Sequence, residues 1–565
     1  MTGRKGISIG YEDLKEIIEK NLYYVDKTDM LSRFMDSHAK VNLFIRPRRF
    51  GKTLNLSMFR RFFEDERNIF GVKIDNSHVF EQLQISSYQE ICIQHQQQYP
   101  VINLSLKSAK QPNFQLAYDM MKRDIAEQFE RHKYVLNSEK LSEQERDTYA
   151  SILKLEEKPA LYVGALKTLS SCLKKYHEKK CVILIDEYDV PLETAWFGGF
   201  YDQMTGFIRS LFESALKTND CLEFAVITGC LRISRESIFT GLNNLKIDSI
   251  LNDRFSTCFG FTEPEVKEML AYYGLSERFH EVKEWYDGYI FGTSEVYNPW
   301  SIINYTDDIS KKDALYPKPY WSNTSSNSII RELVEKADNI QREEIERLLA
   351  GETLEKPVHE DITYEDVYES SDNLWNFLFF TGYLKSCSQR YDGENTFIQI
   401  SIPNIEIQTI YRRSILTWFD QKIKLTDLTP LILAIEEGDC ENIGNIISEQ
   451  LMDTISFFDY GEDYYHGFLA GLLKAAGKYR ISSNRENGIG RTDITMKTPF
   501  IRNGLAVIFE LKVVKNFREM EEGCQEALKQ IETRQYEAGL RSEGYSRILK
   551  YGICFFRKEC IVQKG

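Results

Sequence analysis

Gly51, Lys52 and Thr53 close the segment FIRPRRFGKTL (residues 44–54), and together they form the G-K-[ST] end of a phosphate-binding loop. In such a loop, backbone N–H groups at a helix N-terminus converge on phosphate oxygens. The lysine reaches the β and γ phosphates, and the hydroxyl holds Mg2+. The place of the pattern's first glycine is taken by Arg46, followed by Pro47, Arg48 and Arg49. A glycine there lets the chain turn tightly with no side chain facing the phosphates. Arginines instead offer charge-assisted contacts to phosphate. Arg46, Arg48 and Arg49 are therefore expected to touch the phosphates of ATP, the alternative for Arg48 and Arg49 being solvent or an acidic partner.

The loop also needs a carboxylate at the end of a neighbouring buried strand. VILIDE (182–187) supplies Asp186 for the Mg2+ shell and Glu187 to polarise the attacking water. A third apolar run, FAVITG (224–229), ends in Thr228, a polar residue suited to positioning that water. Taken singly, VILIDE also describes a buried strand ending in solvated acids. In this order, on alternating strand and helix texture, the residues point to ATP binding and hydrolysis.

A second set lies near the carboxyl end. FELKVV (509–514) holds Glu510 and Lys512, two residues apart and so on one side of a strand. GRTDI (490–494) places Asp493 on a preceding strand, and KTPFIRNG between them, with Pro499 and Asn503–Gly504, suits a hairpin. Carboxylate and carbonyl oxygens around Mg2+ or Mn2+, with a group that activates water, are what metal-dependent phosphodiester cleavage requires. Glu-x-Lys alone is equally an edge-strand solubility device. Asp493, Glu510 and Lys512 are the catalytic candidates, with Asp493 and Glu510 as metal ligands, and Arg491 is a candidate phosphate contact on nucleic acid.

These residues need strands and helices to hold them. KVNLFI (40–45) reads as a strand and TLNLSMFRRFFE as a helix, so the glycine-lysine segment is flanked as a phosphate loop must be. YPVINLSL, KCVILIDEYD and CLEFAVITG are further β-rich runs with helical sequence between them. That alternation predicts a parallel sheet covered on both faces. FTEPEVKEMLAYYG begins a helix with Thr262 and Glu265 at capping-box positions. Residues 260–430 read as mostly helical, with the aromatic stretches WYDGYIFGTSEVYNPWSI and PYWSNTSSN. Their aromatics suit a packed lid better than a base-stacking platform, because basic residues are not interleaved with them.

With 565 residues the chain exceeds the roughly 250–300 at which single cores stop growing. Hydrophobic content of 42% and charged content of 28% are those of a globular protein. The net charge of −14 confines any polyanion site to a local patch. No stretch approaches the ~18 apolar residues of a membrane span, and MTGRKGISIGYEDLKEII has no apolar signal core. The eleven cysteines show no C-x-x-C pair and read as reduced thiols. The expected compartment is the cytoplasm, with no membrane partner.

YYVDKTDML, FIRPRRFGKTLNLSMFRRFF, LIDEYDVPL, TGCLRISRESIFTGLNNL, GFTEPEV, WYDGYIFG and VYNPWSI together resemble the bacterial AAA-ATPase-like family, which carries a C-terminal domain of the PD-(D/E)XK nuclease superfamily. R-P-R-R-F-G-K-[ST] is the usual loop of that family, so Arg46 resembles a family trait. The resemblance implies an α/β architecture: an N-terminal segment (1–37), a P-loop ATPase core with a parallel sheet (38–260), a helical lid (261–430) and a restriction-endonuclease-like domain (431–565). It also implies Gln530 facing the phosphate and Glu462 as an additional metal-side carboxylate. Arg232 and Arg235 read as sensors or as an arginine finger acting in trans, which needs a homo-oligomer, or as partners of acids. The expectation is an ATPase whose nucleotide state licenses Mg2+-dependent cleavage of nucleic acid, DNA first, in defence or mobile-element biology. The alternatives are a nucleotide-switched binder of nucleic acid or protein that does not cleave, and an ATPase whose terminal domain only assembles subunits.

Overall fold

Apolar runs that are buried on both faces build the centre of the first unit. In the computed structural model these runs are β1 (Val41–Ile45), β2 (Val101–Ser105), β3 (Cys181–Asp186) and β4 (Leu222–Gly229). Every residue of β1 and β3 is buried, as a sheet covered on both sides requires. A fifth strand, β5 (Leu245–Asp248), was not legible: LKID is short and its pattern half-exposed. All pairings are parallel, in the order β2-β3-β4-β1-β5. Parallel neighbours need crossovers, and among those that supply them are α1 (Lys52–Phe63), α2 (Phe114–Arg131) and α3 (Ala165–His177). Because β4 lies between β1 and β3, the carboxyl ends of these three strands adjoin. The structure describes residues 3–231, 238–239, 244–323, 330, 337–358, 370–425, 427–452, 462–475, 477–487, 490–501 and 504–565.

The middle of the chain is helical, as expected, with α4 (Glu263–Tyr273) and α5 (Pro299–Ser310) as its first long elements. Thr262 and Glu265 form the anticipated capping box, the Glu265 carboxylate accepting from the Thr262 N–H at 2.7 Å. Tyr286, Tyr289, Phe291 and Tyr297 are buried, so this aromatic stretch is packing and offers no exposed stacking platform. Two features depart from the helical expectation: a short antiparallel hairpin pairs Tyr289–Phe291 with Ser294–Val296, and β6 (Leu354–Pro357), β7 (Lys385–Tyr391) and β8 (Thr396–Ser401), with α6 (Ser371–Thr381) before β7, form an antiparallel sheet in the order β6-β8-β7. The signal of that sheet is the DGEN turn, where Asp392 accepts from the Glu394 and Asn395 N–H groups and Gly393 has φ 108°.

Residues 1–323 with 353–408 form one compact unit, and 324–352 with 409–565 form another. Helix α7 (Ile405–Leu425) begins in the first unit and continues in the second. In the second unit, α8 (Thr429–Glu437), α9 (Cys440–Met452) and α10 (Glu462–Ala475) precede the sheet strands β9 (Arg480–Asn487), β10 (Gly490–Lys497) and β11 (Leu505–Val513). Then come α11 (Met520–Thr533), α12 (Tyr536–Ser542), β12 (Arg547–Phe556) and β13 (Glu559–Lys564). The sheet runs β9-β10-β11-β12-β13, parallel only between β11 and β12. Val507, Phe509 and Leu511 pack with residues of α8, α9 and α10. Ala506 and Ile508 pack with Ile531, Tyr536 and Leu540. The period-2 alternation of β11 thus turns Glu510 and Lys512 toward α11.

Candidate active sites

At the phosphate loop, β1 ends at Ile45 and α1 starts at Lys52, so the intervening residues form the turn over the helix N-terminus. Gly51 has φ 80° with open space where a Cβ would stand, so backbone conformation and not crowding demands glycine. Gly51→Ala is expected to lose about 1–2 kcal/mol from left-handed strain and to weaken nucleotide binding, read by thermal unfolding and by titration with a fluorescent ATP analogue. Phe50, which the sequence reading passed over, anchors the loop: it is buried against Tyr289 and Phe291, with ring centroids 4.9 and 5.1 Å away.

Thr53 Oγ1 donates to Asp186 Oδ2 at 2.7 Å, and Thr228 Oγ1 donates to Asp186 Oδ1. Three residues expected to share one site, from α1, β3 and β4, therefore converge on one carboxylate. Lys52 Nζ donates to the carbonyls of Arg46 and Pro47, both at 2.9 Å, and lies 3.4 Å from Cys230 Sγ. It sits within the loop and only 7% exposed. Glu187 follows Asp186 with φ 52°, and burial first, then the Asp186 charge, push its carboxyl above the ordinary value.

The arginines behave differently from one another. Arg46, expected at the phosphates, is wholly buried and points into the core. Its Nη2 meets Asp248 Oδ1 at 2.6 Å and its Nη1 donates to the Asp248 carbonyl at 2.8 Å. The Phe259 and Phe291 rings lie 4.8 and 5.5 Å from the guanidinium. The reason is β5: Asp248 ends the strand beside β1 and draws the guanidinium inward. Arg48 pairs with Glu193, the acidic-partner alternative. Arg49 has φ 69°, lies 4.4 Å over the Trp300 ring and donates to the Tyr320 carbonyl at 3.3 Å. Burial, the largest cause, lowers its pKa to about 10.

Asp189 is another residue the sequence reading missed. It is buried and accepts from the N–H groups of Cys230 at 2.6 Å and Leu231 at 3.2 Å. It thereby fixes the chain just beyond Thr228. The third acidic residue of DEYD was the available signal. Arg232 and Arg235 lie outside the described residues.

In the second unit, β10 pairs with β11 so that Ile494 faces Phe509, which makes Asp493 and Glu510 the next residues along their strands. Asp493 Oδ2 accepts from the Leu511 N–H at 2.9 Å. Gln530 of α11 joins the other two groups: its amide oxygen accepts from Lys512 Nζ at 2.8 Å and its nitrogen donates to Glu510 Oε1. Glu510 is completely buried, and its Oε2 has no hydrogen-bond partner. Burial first and the Asp493 charge second push its carboxyl up to about 8. A buried carboxylate oxygen left open beside a second acid fits a divalent cation, which would supply the missing partner.

Glu462 stands exposed at the head of α10, and its charge acts on Glu510 after those of Asp493 and Lys512. Among the described residues no three His, Cys, Asp or Glu side chains gather as a cation site. Glu462, exposed at the helix start, is not gathered with Asp493 and Glu510 into such a group. His466 has Nε2 2.8 Å from the Asp493 carbonyl and so braces that strand. Arg491 lies on β10, but its side chain is outside the described residues, as is Asn503 of the hairpin.

A P-loop at the carboxyl end of an inner strand of a parallel sheet, and a D…E-x-K set on a mixed one, define an ATPase core joined to a nuclease-like module. Comparison agrees: residues 8–239 match the family model "Predicted AAA-ATPase", and residues 460–565 match that of the PD-(D/E)XK nuclease superfamily. The chain carries these two domains in that order, and they support ATPase and nuclease-type function. It is similar to the "Uncharacterized protein in vnfD 5'region" of Azotobacter chroococcum mcd 1, 24% identical over 560 residues, covering 96% of this chain and 95% of that protein. No helix among the described residues is long and apolar enough to cross a membrane.

Proposed function

We propose that this protein binds and hydrolyses ATP in the first unit and uses the nucleotide state to license hydrolysis of nucleic-acid phosphodiesters in the second. The observation that carries the first half is the convergence of Thr53 and Thr228 on Asp186 beside the loop lysine. Lys52 would leave the loop carbonyls for the β and γ phosphates, Thr53 and Asp186 would hold Mg2+, and Glu187 would take the proton of the attacking water. Thr228 orients that water.

The open oxygen of Glu510 beside Asp493 supports the second half. Mg2+ or Mn2+ held there supplies Lewis acidity for phosphodiester cleavage. Lys512, held by Gln530, orients the water or the phosphate, and DNA is the first polymer to try. Defence against foreign DNA or mobile-element biology is the setting this chemistry suits, in the cytoplasm.

The test is cleavage of labelled single- and double-stranded DNA and RNA with Mg2+ or Mn2+, with and without ATP, in wild type, Lys52→Ala and Glu510→Ala. Lys52→Ala is expected to lose ATP turnover, and normal turnover in it would refute the phosphate-loop reading. Glu510→Ala is expected to keep turnover and lose cleavage. ATP turnover without cleavage of any substrate would instead favour a nucleotide-switched binder.

A further inference from the structure

One peptide group separates a half-buried cation from a buried carboxyl in the first unit. Arg49 Nη1 of the phosphate loop donates to the Tyr320 carbonyl at 3.3 Å. The N–H of that same peptide, from Trp321, donates to Glu406 Oε1 at 2.8 Å. The other oxygen of Glu406 accepts from Ser301 Oγ at 2.7 Å, and Ser301 follows Trp300, the ring beneath the Arg49 guanidinium. Arg49 thus rests on residues 300 and 320, and Glu406 on 301 and 321. Glu406 is 0% exposed, so its hold on these segments is not screened by water. A cation, a peptide dipole and an anion in line strengthen one another in such surroundings.

Glu406 lies in the first turn of α7, which runs unbroken from Ile405 to Leu425 and belongs to the second unit from Thr409 onward. The helix start is pinned to the first unit by Asn404, which caps Ile407 N–H at 3.1 Å and donates to the Asp287 carbonyl at 2.7 Å. The chain also leaves the first unit just after Trp321, at Asn323. Both departures therefore begin within three residues of the Arg49–peptide–Glu406 line.

We propose that Arg49 is shared between the phosphates of bound ATP and Glu406, so that nucleotide occupancy is reported through Glu406 to the start of α7 and to residues 320–321. This rests on reading residues 46–53 as the phosphate site. When Arg49 turns to phosphate, the Tyr320 carbonyl loses one of its two donors, keeping the Trp300 Nε1–H at 3.4 Å, and Glu406 loses the cation it faces. A buried carboxylate without a counter-charge is costly, so the two segments it holds must repack or the carboxyl must gain a proton. Glu406 is a positioning residue in this scheme, acting through Arg49 and touching no substrate.

The experiment uses the full chain with a fluorescent ATP analogue for affinity and amide hydrogen exchange with and without ATP. Wild type is expected to show an ATP-dependent change in exchange at residues 320–323 and 405–412. Glu406→Gln keeps the shape and removes the charge, so it is expected to bind ATP at least about fivefold more tightly and to lose that change. Arg49→Met is expected to bind ATP more weakly and to lose it too, which keeps the proposal testable should Glu406→Gln fold poorly. Wild-type affinity with an undiminished exchange change in Glu406→Gln would overturn the relay. Absence of ATP binding in wild type, or binding that Lys52→Ala leaves intact, would sink the phosphate-site reading and the relay with it.

Discussion

Arg46→Ala is expected to destabilise the first unit by about 3–5 kcal/mol, the cost of leaving a buried charge without its partner. Asp248 is 6% exposed, and in the native protein its carboxyl is held by Arg46 at 2.6 Å. Removing the guanidinium also removes donors to three carbonyls, those of Ile45, Asp248 and Phe255. The chain around β1 and β5 would then open, and with it the base of the phosphate loop. Hydrogen exchange of the β1, β4 and β5 amides, followed with thermal unfolding, locates and sizes the loss. Arg46→Met combined with Asp248→Leu is expected to recover most of it, because replacing both charges with apolar groups of similar volume is often neutral. If Arg46→Ala kept wild-type protection in these strands, the buried pair would not be what fixes the loop.

Glu510→Gln is expected to lower cleavage by more than about a hundredfold, since partners behind a metal ligand already cost 10–100-fold when removed. The same variant tests the electrostatics. The Glu510 carboxyl stands at about 8 against an ordinary 4.5, chiefly through burial and then through Asp493. The native cation-free protein therefore binds a proton there that the unfolded chain releases near 4.5. Its stabilising contribution is complete below about 4.5 and is lost as pH rises through about 8. Cation binding has the opposite sign, because it needs the charged form: Mg2+ affinity should climb between pH 6 and 8, release a proton near pH 7, and level off above. Calorimetric titration with Mg2+ at pH 6, 7 and 8, and thermal unfolding in chelator at the same pH values, check the two slopes. Glu510→Gln should flatten both. Slopes that survive the substitution would place the titrating group elsewhere.

Much of this protein was legible without its structure, because some arrangements are local. Strand, loop and helix around Gly51–Thr53 follow from an apolar run, a left-handed glycine and a helical spacing within about twenty residues. The apolar runs ending in Asp186 and Thr228, and the two-residue spacing of Glu510 and Lys512, fix which way side chains point as soon as the segments are strands. The family resemblance added the order of the two domains, and the matches at 8–239 and 460–565 agree with it.

Tertiary structure decided the rest, and for one physical reason: the identity of a charge's partner is not a local property. RPRR reads as one basic cluster, yet the fold sends Arg46 to Asp248, Arg48 to Glu193 and Arg49 to Trp300 and the Tyr320 carbonyl. Those partners lie far along the chain. Asp189 and Phe50 likewise acquire their roles only when Cys230 or Tyr289 is brought to them. The family resemblance implies Glu462 as a metal-side carboxylate, and only the fold shows it exposed at a helix start. The sequence by itself determined which chemical groups and which local elements this protein has. Only the packed sheets determined which of those groups face a substrate and which spend their charge on one another.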